Sequence, residues 1–300
     1  MITSLHCIPC FIHQAFKAVS RLGKDDMALE KVLRSVLAHL STMDLSKSPP
    51  EIAEKVYAVI SEHTGVADPY CNEKKIVNAL AAGIAGPLMA KHAGDPDQFL
   101  TRLRMVIAAN IIDFGVHDEV SGERILSSFE QCMAAELDMP VVEKLRANIA
   151  SANSILYLGD NAGEIVFDKL FIEAFTTNAT ITYAVRGKPI INDVTMHDAQ
   201  ETGIDRVAQV ISNGAGVPGT VLELCTPRFR RQFEQADLII SKGQGNFETL
   251  NCVDANIFFL LQVKCEVVAR DLGLPLGAFV IYKPEISVQM KDAAPESAGT

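Results

Sequence analysis

Two rhythms of apolar and polar positions divide this chain. Through residues 1–150, apolar side chains return every three or four positions, the spacing of amphipathic helices. Ser48-Pro49-Pro50 sets a cap and two prolines ahead of the run EIAEKVYAVISEH, and Gly65 closes it. Asp95-Pro96 repeats the device ahead of QFLTRLRMVIAANIIDF, which Gly115 is expected to end. The stretches 72–92 and 140–152 keep the same period, and no strand pattern interrupts this half.

Beyond residue 152 the rhythm shortens. Apolar runs at about 155–158, 179–185, 207–211, 237–241, 257–263 and 277–282 alternate with helix-like segments. Such alternation predicts a doubly wound α/β arrangement, a mostly parallel sheet with covering helices. The expected organisation is a helical domain over 1–150, an α/β domain over 151–284 and a loose tail over 285–300. Pro, Ala, Ser and mixed charge collect in that tail, and no internal repeat is found.

In an open α/β sheet, ligands bind at the carboxyl ends of the strands. The run ILYL ends in Gly159-Asp160-Asn161, the next in Arg186-Gly187-Lys188 with Asn192-Asp193 following, and a later one in Lys242-Gly243-Gln244-Gly245-Asn246. Asp160, Asn161 and Asp193 offer three oxygen donors, the chemistry that hard cations such as Mg²⁺ or Mn²⁺ require. Two carboxylates leave the charge near zero once a divalent ion binds, which suits a further anionic ligand. Each of these residues could instead cap a helix; convergence on neighbouring loops would decide between the readings. The Lys242–Asn246 segment resembles a phosphate cradle of backbone N–H groups, although it matches neither a Walker A loop nor a dinucleotide fingerprint. Its competing reading is a glycine-rich structural turn.

Arg186 and Lys188 form a second cationic pair, either ligand-facing or solvated. Glu164 falls in the first turn of the following helix, as a base toward an activated water or as a favourable charge at the helix start. Asn110 and Asp113, three apart near the end of an apolar helix, either project into the site or mark that helix's wet edge. His6-Cys7-Ile8-Pro9-Cys10-Phe11-Ile12-His13 has the donors for a soft metal or a redox pair, or is a structural helix start. Cys71 is the one other cysteine placed to keep it company, whereas Cys132, Cys225, Cys252 and Cys265 read as small buried hydrophobes in a reducing compartment.

Thirty-seven acidic against 27 basic residues, a net charge of −10, argue against a nucleic-acid partner. No apolar stretch approaches the roughly 18–20 residues of a membrane span, and no signal pattern opens the chain, so a cytoplasmic protein is expected. A serine-nucleophile elbow is absent, and His117 and His197 have no evident nucleophile to serve.

Taken in order, GDNAGE, VRGKPIINDVT, GAGVPGT and ADLIISKGQGNFETL resemble the DUF89 family of damage-control phosphatases. CIPC, DPYCNEKK and AANIIDFG resemble its CxxC-containing prokaryotic branch, and the likeness runs from about residue 3 to 282. The resemblance implies a helical domain packed on a Rossmann-like three-layer αβα domain. It also implies a metal-dependent phosphomonoester hydrolase acting on small phosphorylated metabolites, sugar phosphates or nucleotide-related phosphates, with Mg, Mn, Co or Ni as the divalent ion. Carried over by motif, Asp160, Asn161 and Asp193 would hold the metal. Lys242 and the Gly243–Asn246 turn would contact phosphate, and Asn110 and Asp113 occupy the family's polar pair, with Ala109 where a glycine is common. The expected chemistry is attack by an activated water, oriented by Asp160 or Asp193, while Lys242 offsets developing charge. A covalent aspartyl-phosphate is the lesser alternative, because no DxD signature stands at Asp160. The rival functions are an S-adenosylmethionine-dependent carboxyl methyltransferase and a non-catalytic metal- or nucleotide-binding regulator. Neither substrate nor oligomeric state follows from the sequence.

Overall fold

The computed structural model describes residues 1–113 and 121–284. The expected helix stop at Gly115, His117 and the tail over 285–300 lie outside the described residues. The first half forms α1 (Cys7–Arg21), α2 (Asp26–Leu40), α3 (Pro49–Thr64), α4 (Cys71–Lys91), α5 (Gln98–Ala108), α6 (Gly122–Ala134) and α7 (Met139–Ser151). Around α3 the local signals act together. Ser48 and Glu51 form a capping box, Pro49 and Pro50 occupy the first turn, and Gly65 leaves the helix at φ 71°.

Helix α5 stops sooner than the apolar period suggests. It tightens into a 3₁₀ turn over Ala109–Ile111, and Ile112 leaves the helical backbone at ψ 80°. The periodicity continues, but Asn110 is drawn out of register by hydrogen bonds to the sheet half.

The second half runs β1 (Ser154–Leu158), α8 (Glu164–Ile172), β2 (Thr180–Val185), α9 (Met196–Thr202), β3 (Gln209–Ser212), α10 (Pro227–Gln235), β4 (Leu238–Lys242), α11 (Gln244–Leu250), β5 (Ile257–Gln262), α12 (Glu266–Leu272) and β6 (Phe279–Tyr282). The sheet order is β3-β2-β1-β4-β5-β6, parallel throughout except for the β5–β6 pair. Successive strands step outward from β1 to one side, then restart at β4 on the other. The carboxyl ends of β1 and β4 therefore flank the crevice where such sheets bind ligands.

Alternation along the strands assigns their faces. Ile155, Tyr157, Tyr183, Ile240 and Leu260 join a core with Val19, Val56, Leu103, Phe129 and Leu145 of the helical half. Leu156, Leu158, Ile239, Phe259 and Leu261 face a second core with Phe229, Phe247 and Val268. The helical half thus covers one face of the sheet and shares its core. Among the described residues, no helix is long and apolar enough to cross a membrane.

Candidate active site

Backbone pairing brings two of the strand-end turns together. Ala162 N–H donates to Asn192 O at 2.8 Å, and Val194 N–H donates to Asp160 O at 2.8 Å. Asn161 and Asp193 consequently lie opposite one another in an antiparallel bridge. Ile191, two residues before Asp193, has φ 45°, a left-handed conformation that is rare for a β-branched residue. The turn after β4 closes on the same point. A Cβ on Gly243 would lie 1.8 Å from Asp160 Oδ2, so the glycine leaves room for that carboxylate.

Hydrogen bonds among the described residues occupy some of these oxygens and leave others over. Asp160 Oδ2 accepts from Asn110 Nδ2 at 3.2 Å and from Asn161 Nδ2 at 2.8 Å. Asn161 Nδ2 also donates to Glu164 Oε1 at 2.7 Å, and Asp193 Oδ2 accepts from Arg186 Nε at 2.6 Å. Among the described residues, the Oδ1 atoms of Asp160, Asn161 and Asp193 accept no hydrogen bond; Asp160 Oδ1 lies 3.7 Å from Arg186 Nη2. Burial, reinforced by neighbouring Asp193, pushes the Asp160 carboxyl up to about 7. Burial likewise raises Asp193 to about 6, against the pull of Arg186. Two buried carboxylates and an amide oxygen, each with an unused lone-pair site, are a donor set that fits a hard divalent cation.

These three residues line a cavity of about 540 Å³ together with Asp113 and Lys264. Phe11, Pro49, Pro50 and Ile191 supply apolar wall. Lys264 Nζ pairs with Asp113 Oδ2 at 2.7 Å. Sequence reasoning missed this lysine, although it follows the β5 apolar run just as the other candidates follow theirs.

Lys242 is placed differently from expectation. It is fully buried, and its Nζ bonds Glu164 Oε2 and Asp168 Oδ1, both at 2.8 Å. Asp168 in turn accepts the hydroxyls of Tyr157 and Tyr183, each at 2.7 Å. The reason is strand parity: Lys242 shares the face of Leu238 and Ile240, which look toward the helical layer rather than the cavity. Asn246 is also turned inward, donating to Gly159 O at 3.3 Å and Lys242 O at 2.8 Å while accepting from Thr220 Oγ1 at 2.8 Å. Gly245 is required by packing, since a Cβ there would lie 2.1 Å from Pro218 O. Of the Lys242–Asn246 segment, Gln244 and Gly245 line the cavity.

Arg186 is buried as the partner of Asp193, so it is no solvated turn charge. Glu164 is enclosed by Asn110, Asn161 and Lys242, and burial raises it to about 7. Asn110 does reach across from the helical half: its Oδ1 accepts Gln262 N–H at 3.0 Å while its amide holds Asp160 and Glu164. Cys7, Cys10 and Cys265 border the same cavity; Cys132 and Cys225 are buried as expected, whereas Cys252 is exposed. His197, Asp198 and Glu201 on α9 bring donor atoms within 4.8 Å of one another. There Asp198 closes a capping box with Thr195, and Asn78 binds both acids, which accounts for the cluster structurally.

A family profile described as the damage-control phosphatase ARMT1-like domain matches residues 3–280. The chain is 33% identical over 288 residues to the damage-control phosphatase PH1575 of Pyrococcus horikoshii, covering 94% of this chain and 98% of that protein. It is 30% identical over 279 residues to a damage-control phosphatase of Archaeoglobus fulgidus, covering 91% and 96% respectively. The crystal structure of a DUF89 family protein from Pyrococcus horikoshii superposes with a TM-score of 0.86 at 30% identity, over 95% of this chain and 100% of that one.

Proposed function

The chain belongs to the damage-control phosphatase (DUF89) family, and from that premise we propose a metal-dependent hydrolase of small phosphomonoesters, sugar phosphates or nucleotide-related phosphates. The observation that carries the reading is the trio of unbonded oxygens on Asp160, Asn161 and Asp193, lining one cavity with Lys264. These oxygens would hold the ion. When bound, a divalent cation such as Mg²⁺, Mn²⁺, Co²⁺ or Ni²⁺ supplies polarisation of the phosphoryl oxygens and a lowered pKa for water.

The protein's own groups do the rest. Glu164 and Asp160 both accept from the Asn161 amide nitrogen, which fixes the amide so that its carbonyl oxygen is the free end. Lys264, held by Asp113, offsets the charge of the phosphoryl group in the role first expected of Lys242. A carboxylate oxygen of Asp193 or Asp160 accepts a hydrogen bond from the attacking water and orients it in line. The apolar wall of Phe11, Pro49 and Pro50 limits competing water, which strengthens each of these interactions.

The test is phosphate release from a panel of phosphomonoesters with each divalent ion and after chelation. Release should require the ion, and Asp193→Asn should lower kcat/KM on the order of 100-fold at limiting metal. Undiminished release under chelation, or an unaffected Asp193→Asn, overturns the reading. A regulator would release no phosphate, and a phosphorylated Asp160 trapped by acid quench during turnover would replace direct attack with a covalent route.

A further inference from the structure

The hydrolysis proposed above leaves two cavity-lining thiols without a task. We propose that Cys7 and Cys10 are a redox-active dithiol in the cavity wall, oxidised to an intrahelical disulfide by small-molecule disulfides. They are the first and fourth residues of α1. Positions three apart on one helical turn bring their Cα atoms to roughly 5 Å, within the span a disulfide bridges. Pro9 is tolerated between them because the first helical turn needs no N–H donor there. Cys7 is half-buried and Cys10 exposed, and both line the cavity, so a reagent small enough to enter meets the pair.

A preformed soft-metal site is the competing use. Among the described residues, the His and Cys donors around the cavity form no group of three within 4.8 Å, the condition met only on α9. Burial pushes the Cys7 thiol up to about 11 and raises Cys10 as well, with Glu248 and Cys265 adding to both. A disulfide carries no charge and escapes that penalty. The pair should therefore exchange slowly, since little of either thiol is ionised at neutral pH.

The reaction balances without further reagents. The Cys10 thiolate attacks one sulfur of the incoming disulfide and expels one thiolate. The Cys7 thiolate then attacks the Cys10 sulfur of the mixed disulfide and expels the second. The two protein thiols lose two electrons and two protons, and the small disulfide becomes two thiols. Cys265, whose Sγ accepts from Gln244 Nε2 at 3.4 Å, borders the same cavity and is the rival resolving thiol.

The full chain would be incubated in glutathione–glutathione disulfide mixtures, quenched with an alkylating reagent, digested and weighed. The peptide carrying both cysteines should become about 2 Da lighter and lose both alkylation sites, reversibly with dithiothreitol. Cys7→Ser should instead accumulate a glutathione adduct on Cys10. Asp160→Asn should oxidise like the parent, which separates this result from the hydrolase reading. Both thiols remaining fully alkylated across the series, or either of them linked to Cys265, overturns the proposal. So does a cobalt–thiolate charge-transfer band that Cys7→Ser abolishes.

Discussion

Removing the Lys242 ammonium would strand Glu164 and Asp168 in the interior with no cation between them. Lys242→Ala should cost about 3–5 kcal/mol in urea denaturation. A variant of parental stability with slowed turnover would return this lysine to a direct chemical role. Lys264→Ala should cost less stability than Lys242→Ala, because its partner Asp113 keeps some access to solvent, while losing catalytic efficiency, measured as separate kcat and KM. Gly243→Ala should weaken Mn²⁺ binding on the order of 10–100-fold by calorimetry, because the added methyl displaces Asp160. The gathering of Asp160, Asn161 and Asp193 at one cavity was legible in the sequence because a polar residue just after a buried strand has few places to go. The direction of Lys242 was not. It depends on which parity of β4 lies under the helices, and alternation cannot say which face a layer will cover.

At the scale of elements, all six strands could be read: β1, β4 and β5, buried on both faces, show as apolar runs between turn residues, and β2, β3 and β6 still carry short β-branched or aromatic runs. The end of α5 could not, because it is set by tertiary bonds from Asn110 to Asp160, Glu164 and the Gln262 N–H. Asn110→Ala would leave that buried N–H without its acceptor, at a cost of about 1–3 kcal/mol. The same change should reduce affinity for the divalent ion, so denaturation and Mn²⁺ titration are the paired measurements. Retention of both would show that the helix end needs no anchor. The glycines after β4 were legible as a tight turn, but their partners, Asp160 and the Pro218 carbonyl, are distant in sequence and known only from the fold.

For the whole molecule, charge and stability are linked through the carboxylates. In the metal-free protein, Asp160, Glu164 and Glu248 are raised to about 7 and Asp193 to about 6, all above their ordinary values. The folded state therefore holds more protons than the unfolded one between about pH 4 and 7, and stability falls as pH rises through that window. The depressed acids Asp44, Asp95, Asp97 and Asp237 act below it. Under chelation the melting temperature should drop from pH 5 to pH 8, and Mn²⁺ should flatten the profile. A chelated profile that climbs across this interval would contradict the charge assignments. The change from helices to strands between α7 and β1 was readable as a change of period, but the shared core was not, because periodicity shows that a helix has an apolar face without saying what covers it.

At Ile191 the fold accepts local backbone strain to hold a loop in place. Its left-handed backbone costs about 1–3 kcal/mol, yet the bend throws Asp193 back across Asn161. A glycine in its place would relax the kink, but it would also empty a buried apolar position and free the loop that carries Asp193, a net loss of stability. Variation here should thus stay among bulky apolar residues, the bent backbone being kept because what it buries and what it places outweigh its strain.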